Sequence, residues 1–188
     1  MCKETSNSDL KMIKAICVWN DAKVRNLYRT AFPKIEQLPY LQLKIGSLTK
    51  TRDFFVFKQN GKTKALAFLV VSADYSLLYY LAVDEAARGT GIGSECLKLL
   101  KQYYKQPLLV IMKPMDSDAK DYSQRLRRKD FYERAGFVSA DMTVTDWSGS
   151  FSVYTTAARP DPGKLYNMLK RFTPWDEQLM VTENVNEA

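Results

Sequence analysis

Histidine is absent from the 188 residues, and its absence removes the Ser-His-Asp triad, the Cys-His pair and most zinc sites, all of which need an imidazole. Proton transfer in this chain falls to carboxylates, Tyr, Lys, Cys or water. Cysteine is scarce: Cys2, Cys17 and Cys96 are odd in number and lack any C-x-x-C spacing, so they indicate neither a disulfide framework nor a metal site. A reducing, cytoplasmic setting is the expectation. Long apolar runs are missing as well. The stretch ALAFLVV, Ala65 to Val71, is too short to span a bilayer, and the opening MCKETSNSDL lacks the apolar core of a signal peptide. No membrane partner is expected.

The composition is that of a globular protein, 46% hydrophobic and 12% aromatic, with 28 Lys+Arg against 21 Asp+Glu and a formal net charge of +7. At this length one domain buries a core that needs no covalent staples. The positive balance suits an anionic ligand without choosing among nucleic acid, a phospholipid surface and a phosphorylated cofactor. The basic residues are dispersed and no RNA-binding aromatic motif is present, which argues against a nucleic-acid partner.

Period and punctuation show no internal repeat. Residues 11–18 read as a first strand, Asn20 or Asp21 as the cap of a helix reaching Ala31, and Phe32-Pro33 as its stop. A second helix from Pro39 to Leu48 carries Leu41, Ile45 and Leu48 as one apolar stripe. DFFVFK (Asp53 to Lys58), the turn at Asn60-Gly61 and the run from Thr63 to Ser72 form a hairpin, continued by Leu77 to Val83 as an antiparallel meander. A Gly-rich turn, a helix (Gly91 to Tyr104), a strand (Leu108 to Met112), a helix (Asp118 to Ala135) and strands near Phe137 to Thr145 and Phe151 to Thr156 follow. The class is mixed α/β. Residues 1–158 are expected to form one domain and 159–188 a docked appendage, with Val181 to Ala188 frayed.

The turn Arg88-Gly89-Thr90-Gly91-Ile92-Gly93 joins an apolar strand to an amphipathic helix on which Ile92, Cys96, Leu99, Leu100 and Tyr103 share a face. Glycines there let helix-start amides approach a ligand closely, and the helix dipole favours an anion such as a pyrophosphate. Arg88 adds a fixed charge. The alternative is a tight strand-to-helix turn with no ligand. A Rossmann fingerprint is excluded because Cys96 stands where its third Gly or Ala belongs, and a Walker loop because G-K-[ST] is missing.

This R-x-x-G-x-G turn, followed by helix, strand and a helix ending in Phe131-Tyr132-Glu133-Arg134-Ala135-Gly136-Phe137, resembles the GNAT family of acetyl-coenzyme A dependent N-acetyltransferases over roughly Phe54 to Thr156. The resemblance implies a mostly antiparallel sheet flanked by helices, in which two parallel strands, Leu77 to Val83 and Leu108 to Met112, splay apart. It implies that backbone groups of Leu81, Ala82 and Val83 hydrogen-bond the pantetheine arm of acetyl-CoA. The amides of Gly89, Thr90, Gly91, Ile92, Gly93 and Ser94, with Arg88 beside them, would hold the pyrophosphate. Tyr132 would act as general acid toward the departing thiolate, the alternative being an aromatic core residue.

The implied reaction is direct attack of a primary amine, from a small molecule or a protein, in a ternary complex. The amine's proton needs an acceptor; the carboxylate candidates are Glu36, between the first two helices, and Asp84 or Glu85. Glu36 is chosen because that loop usually borders the acceptor site in the family. Arg125 and Arg128 stand where many members have Asn and Ala; with Tyr132 they share a helix face, and Arg125 is assigned to the coenzyme, the alternative being a solvated basic surface. Cys96, on the inner helix face, reads as a buried inert thiol. The rival from another class is a coenzyme-binding regulatory module without chemistry. No motif identifies the acceptor, a metal or an oligomeric state.

Overall fold

The computed structural model describes residues 10–17 and 22–184. The chain divides into two compact units, Met1–Val71 with Leu78–Lys105, and Ser72–Leu77 with Gln106–Ala188. The first unit holds β1 (Leu10–Lys14), α1 (Ala22–Ala31), α2 (Tyr40–Gly46), β2 (Arg52–Gln59), β3 (Lys62–Val71), most of β4 (Ser76–Val83), and α3 (Ile92–Tyr103). Asn60 and Gly61, at φ 51° and 74°, supply the two left-handed residues of a tight hairpin turn. They bring β2 and β3 into antiparallel register, with Phe54 opposite Phe68. The strands run in the order β1-β2-β3-β4.

The unbroken apolar core of β2 follows from cover on both faces. Phe54 meets Tyr40 of α2 edge-on at 5.9 Å, while its neighbour Phe55 meets Tyr103 of α3 at 5.2 Å. Alternate side chains thus enter two separate helix–sheet layers. The first strand is shorter than the sequence suggests: Ala15–Cys17 winds into a 3-10 turn, and Val18, Asn20 and Asp21 lie outside the described residues. Cys17 is disulfide-bonded, a pairing of which the cysteine count and spacing gave no sign.

The stripe of Leu41, Ile45 and Leu48 is exposed, at 66%, 56% and 66%. Helix α2 is only seven residues long and buries Leu43 and Gly46 instead. Spacing defines a face, but not which face the protein covers.

The second unit contains β5 (Leu108–Met112), α4 (Tyr122–Arg134), β6 (Val138–Asp146), β7 (Gly149–Thr155), α5 (Pro162–Phe172) and β8 (Met180–Glu183). Its strand order is β5-β7-β6-β8, and its recorded pairings are antiparallel. Helix α5 begins where the Asp161 carboxylate accepts the Lys164 amide at 2.8 Å, with Pro162 in the first turn. It buries Leu165, Met168, Leu169 and Phe172 at spacings of three, one and three, a helix-face pattern.

Fraying from Val181 is corrected by β8, which pairs with β6 through Met142 opposite Glu183 and Val144 opposite Val181. Trp147 and Trp175 pack with their rings tilted and centroids 4.8 Å apart, and buried Asp176 accepts the Trp147 amide. These contacts tie the segment down. Residues 185–188 lie outside those described.

Candidate active site

Strand β4 ends at Val83, and the chain turns through Asp84 and a 3-10 turn (Glu85–Ala87) into the glycine segment. Gly89 and Gly91 have φ of 75° and 85°, values that L-residues with a Cβ rarely adopt. A Cβ at either position would meet nothing within 4 Å, so glycine is required by backbone conformation and the space beside it is open. Gly91 is the N-cap of α3 and has no side chain to cap it. The first-turn amides of an α-helix have no intrahelical acceptor, so Ile92, Gly93 and Ser94 present donors to that space. Thr90 Oγ1 donates to the Ala87 carbonyl at 2.7 Å and steadies the turn from beneath. Arg88 is exposed, and its Nε donates to the Val83 carbonyl at 3.4 Å. An open, amide-rich, positively biased helix start fits a diphosphate.

Along β4, Tyr80 and Ala82 are buried while Leu81 and Val83 are half-buried. Asp84 is held below the ordinary carboxylate range, chiefly by its hydrogen bond from Lys23 Nζ at 2.6 Å. That engagement makes Asp84 a weak proton acceptor; Glu85 is exposed. Glu36 lies in a 3-10 turn, Lys34–Glu36, whose position is set by two phenols absent from the sequence expectations. Tyr80 donates its hydroxyl to the Glu36 carbonyl. Tyr28 of α1 donates to the Leu38 carbonyl at 3.0 Å and accepts the Leu38 amide at 2.8 Å. The Tyr28 and Tyr80 rings meet edge-on at 5.2 Å. The structure therefore brings Glu36 to the strand that carries Leu81, Ala82 and Val83. The available sequence signal was Val24, Leu27 and Tyr28, the buried face of α1.

Cys96 is fully buried, and burial pushes its thiol pKa up, which removes it as a nucleophile.

Tyr132, Arg125 and Arg128 belong to the second unit. The helix carrying them begins at Tyr122 rather than Asp118, because residues 116–121 form turns, with the Asp118 amide bound to Asp116 Oδ1 at 3.0 Å. The F-Y-x-x-x-G-F sequence is a helix stop. Gly136, at φ 80°, donates to the Glu133 carbonyl at 2.8 Å, and Phe137 donates to the Tyr132 carbonyl at 3.0 Å. This is the Schellman pair of bonds, completed by the Tyr132–Phe137 ring contact at 5.4 Å.

The cap fixes Tyr132, which is 8% exposed. Its hydroxyl has no hydrogen-bond partner among the described residues. Burial pushes its pKa up to about 12, partly offset by Arg128, so the phenol keeps its proton at neutral pH.

An unfolded phenol ionises near pH ~10. The raised value therefore contributes stability that is complete below pH ~10 and is lost as pH rises through about 12. Tyr132→Phe should accordingly flatten the fall in unfolding midpoint between pH ~10 and ~11.5, read by thermal melts of both proteins in parallel. Arg125 gives Nε to Asp121 at 2.9 Å and Nη1 to the Pro114 carbonyl at 2.8 Å. With Arg128, Lys113 and Lys129 it borders a cavity of only ≈ 10 Å³.

No helix among the described residues is long and apolar enough to cross a membrane. Residues 50–139 match the family model of the acetyltransferase (GNAT) domain. YjbC of Bacillus subtilis (strain 168), provisionally named an acetyltransferase, is 35% identical over 109 residues, 56% of this chain and 54% of that protein. The chain thus spans about half the length of the curated relative it matches.

Among solved structures, a provisionally named GNAT acetyltransferase from Bacteroides thetaiotaomicron superposes with a TM-score of 0.65 at 16% identity, covering 87% of this chain and 94% of that one. An aminoglycoside 6′-N-acetyltransferase complexed with coenzyme A gives 0.57 at 12% identity, covering 86% and 99%. At these identities the likeness is one of fold, a mixed α/β sheet flanked by helices. Residues 50–139 thus match the GNAT acetyltransferase domain, and the fold around them is shared with a solved structure named for that family.

Proposed function

We propose that this chain transfers an acetyl group from acetyl-coenzyme A to a primary amine, by direct attack in a ternary complex and without a covalent enzyme intermediate. The observation that carries the reading is the uncapped start of α3. There the left-handed Gly89 and Gly91 leave open space in front of unpaired amides, a cradle suited to a diphosphate. Gly89 to Ser94 and Arg88 would hold the phosphates, and the backbone of Leu81, Ala82 and Val83 the pantetheine arm. Arg125 is assigned to the coenzyme as well. When bound, the coenzyme supplies an activated acetyl thioester.

The chain's own residues do the rest. The attacking amine must be neutral, and Glu36, held by Tyr80, is assigned to receive its proton. Tyr132 is assigned as proton donor to the departing thiolate, a role its protonated phenol supports. A thiol with pKa near ~8.5 already leaves readily, so this help is moderate. Tyr132→Phe is expected to lower turnover about tenfold with coenzyme affinity nearly unchanged. Unchanged turnover would remove Tyr132 from the mechanism.

The reading itself is tested by thermal shift with acetyl-coenzyme A and coenzyme A, since ligand binding raises the melting temperature by mass action. Thiol-release assays over amine classes then follow. Binding without transfer to any amine would leave a coenzyme-responsive regulatory module, and no binding would overturn both.

A further inference from the structure

Between α1 and α2 lies a cleft of ≈ 1210 Å³, larger than the roughly 300–1,000 Å³ of most small-molecule pockets. Among the described residues its charged lining is of one sign, Arg25 and Arg29 from α1, Lys34 from the loop and Lys44 from α2, with no carboxylate. Arg25 and Arg29 are one turn apart on a shared helix face. The Arg25 guanidinium lies 5.4 Å from the Tyr40 ring centroid, a contact that orients its planar fork. Arg25, Arg29 and Lys34 have no ion-pair partner among the described residues.

Asp84 is paired with Lys23, and Glu36, the assigned proton acceptor, stands between the lining residues Lys34 and Gln37 without itself lining the cleft. Clustered like charges repel one another, and an anion seated among them relieves that repulsion. The cleft also adjoins the strand assigned to the coenzyme: Tyr28 lines it and meets Tyr80, the residue before Leu81.

We propose that this cleft receives the acceptor, and that the acceptor is an amine that also carries carboxylate or phosphate groups. The proposal rests on the acetyl-transfer reading above and narrows it to one substrate class. Guanidinium forks bind such oxyanions through paired N–H donors, and the amine remains available for reaction. A polycationic amine enters against the field of the same residues and is disfavoured.

The test uses the full chain with acetyl-coenzyme A and matched acceptors. A peptide with a free N-terminus and several acidic side chains is compared with its amidated, neutral counterpart, and a hexosamine phosphate with the unphosphorylated hexosamine. A polyamine and an aminoglycoside serve as cations. Acetylation of at least one anionic member is expected at a kcat/KM on the order of tenfold or more above its neutral counterpart. That advantage should shrink with added salt and vanish in the Arg25→Gln/Arg29→Gln/Lys34→Gln protein. All three side chains are exposed, and a retained coenzyme-induced thermal shift certifies that this protein is folded. The peptide and sugar arms distinguish carboxylate from phosphate recognition.

Equal rates on neutral and anionic partners, or faster transfer to the polyamine or aminoglycoside, would overturn the proposal while leaving acetyl transfer intact. If no amine is acetylated, fluorescence anisotropy of the labelled acidic peptide decides. Binding that the triple substitution abolishes keeps the anion site and sinks the enzymatic reading; no binding sinks both.

Discussion

Valine in place of Gly91 is expected to weaken coenzyme A binding by about a hundredfold or more. The position has φ 85°, and a Cβ there would collide with nothing, so the penalty comes from the backbone. A left-handed L-residue costs about 1–2 kcal/mol, and a β-branched one fits that region worst. The chain escapes the strain by rotating out of it, which turns the amides of Ile92 and Gly93 away from the open space. Two charge-assisted hydrogen bonds at about 1.5 kcal/mol each are then lost, roughly 3 kcal/mol, or about a hundredfold in affinity. Gly91→Asn is the discriminating partner, because Asn tolerates the left-handed region and should retain most of the affinity. Calorimetric titration of the three proteins reads the difference. Wild-type affinity in the valine protein would mean that these amides do not hold the phosphates.

The largest stability loss is expected for Phe54→Ala, about 3–5 kcal/mol. Phe54 is fully buried and lies edge-on to Tyr40 at 5.9 Å and to Phe68 at 6.0 Å. Truncation removes both ring contacts and leaves a void that the paired strands β2 and β3 cannot close without shifting register. Tyr40 would lose its seat, and with it the α2 wall of the cleft. Urea unfolding measures the loss; a change below ~1 kcal/mol, typical of a site that repacks freely, would contradict the assignment of Phe54 to the layer beneath α2.

Much of the fold was legible in the sequence because its signals are local. Asn60-Gly61 needs two left-handed residues and so marks a hairpin; apolar runs of strand length mark β2 to β5; Pro33 marks the end of α1. The glycine turn was legible for the same reason, since only a backbone that must reach φ near 75–85° spaces glycines as Gly89 and Gly91 are spaced. What escaped depends on partners distant in the chain. Strand β8 is a short segment whose only strand signal is the edge that β6 offers it, and the sequence shows no edge. The exposure of Leu41, Ile45 and Leu48 reflects which side of α2 meets β2, a choice that helical period leaves open.

The Phe131-to-Phe137 motif was visible, but its immediate physical meaning, a helix stop that clamps one phenol in place, emerged only from the bonds of Gly136 and Phe137. Tyr28 and Tyr80 carry no signal of this role in the sequence, because a buried tyrosine and a structural anchor look alike until the atom at the end of the hydroxyl is known. The basic lining of the α1–α2 cleft drew no expectation from the sequence, because it gathers Arg25 and Arg29 of α1 with Lys34 and Lys44 of later segments.

The two phenol clamps on residues 36–38 bear on how readily the chain could change its chemistry. A loop tethered at its main-chain carbonyls keeps its shape whatever its side chains become, so substitutions along it alter the lining without altering the contour. Broader substrate tolerance would therefore have to begin at Tyr28 or Tyr80, with the release of the tether itself.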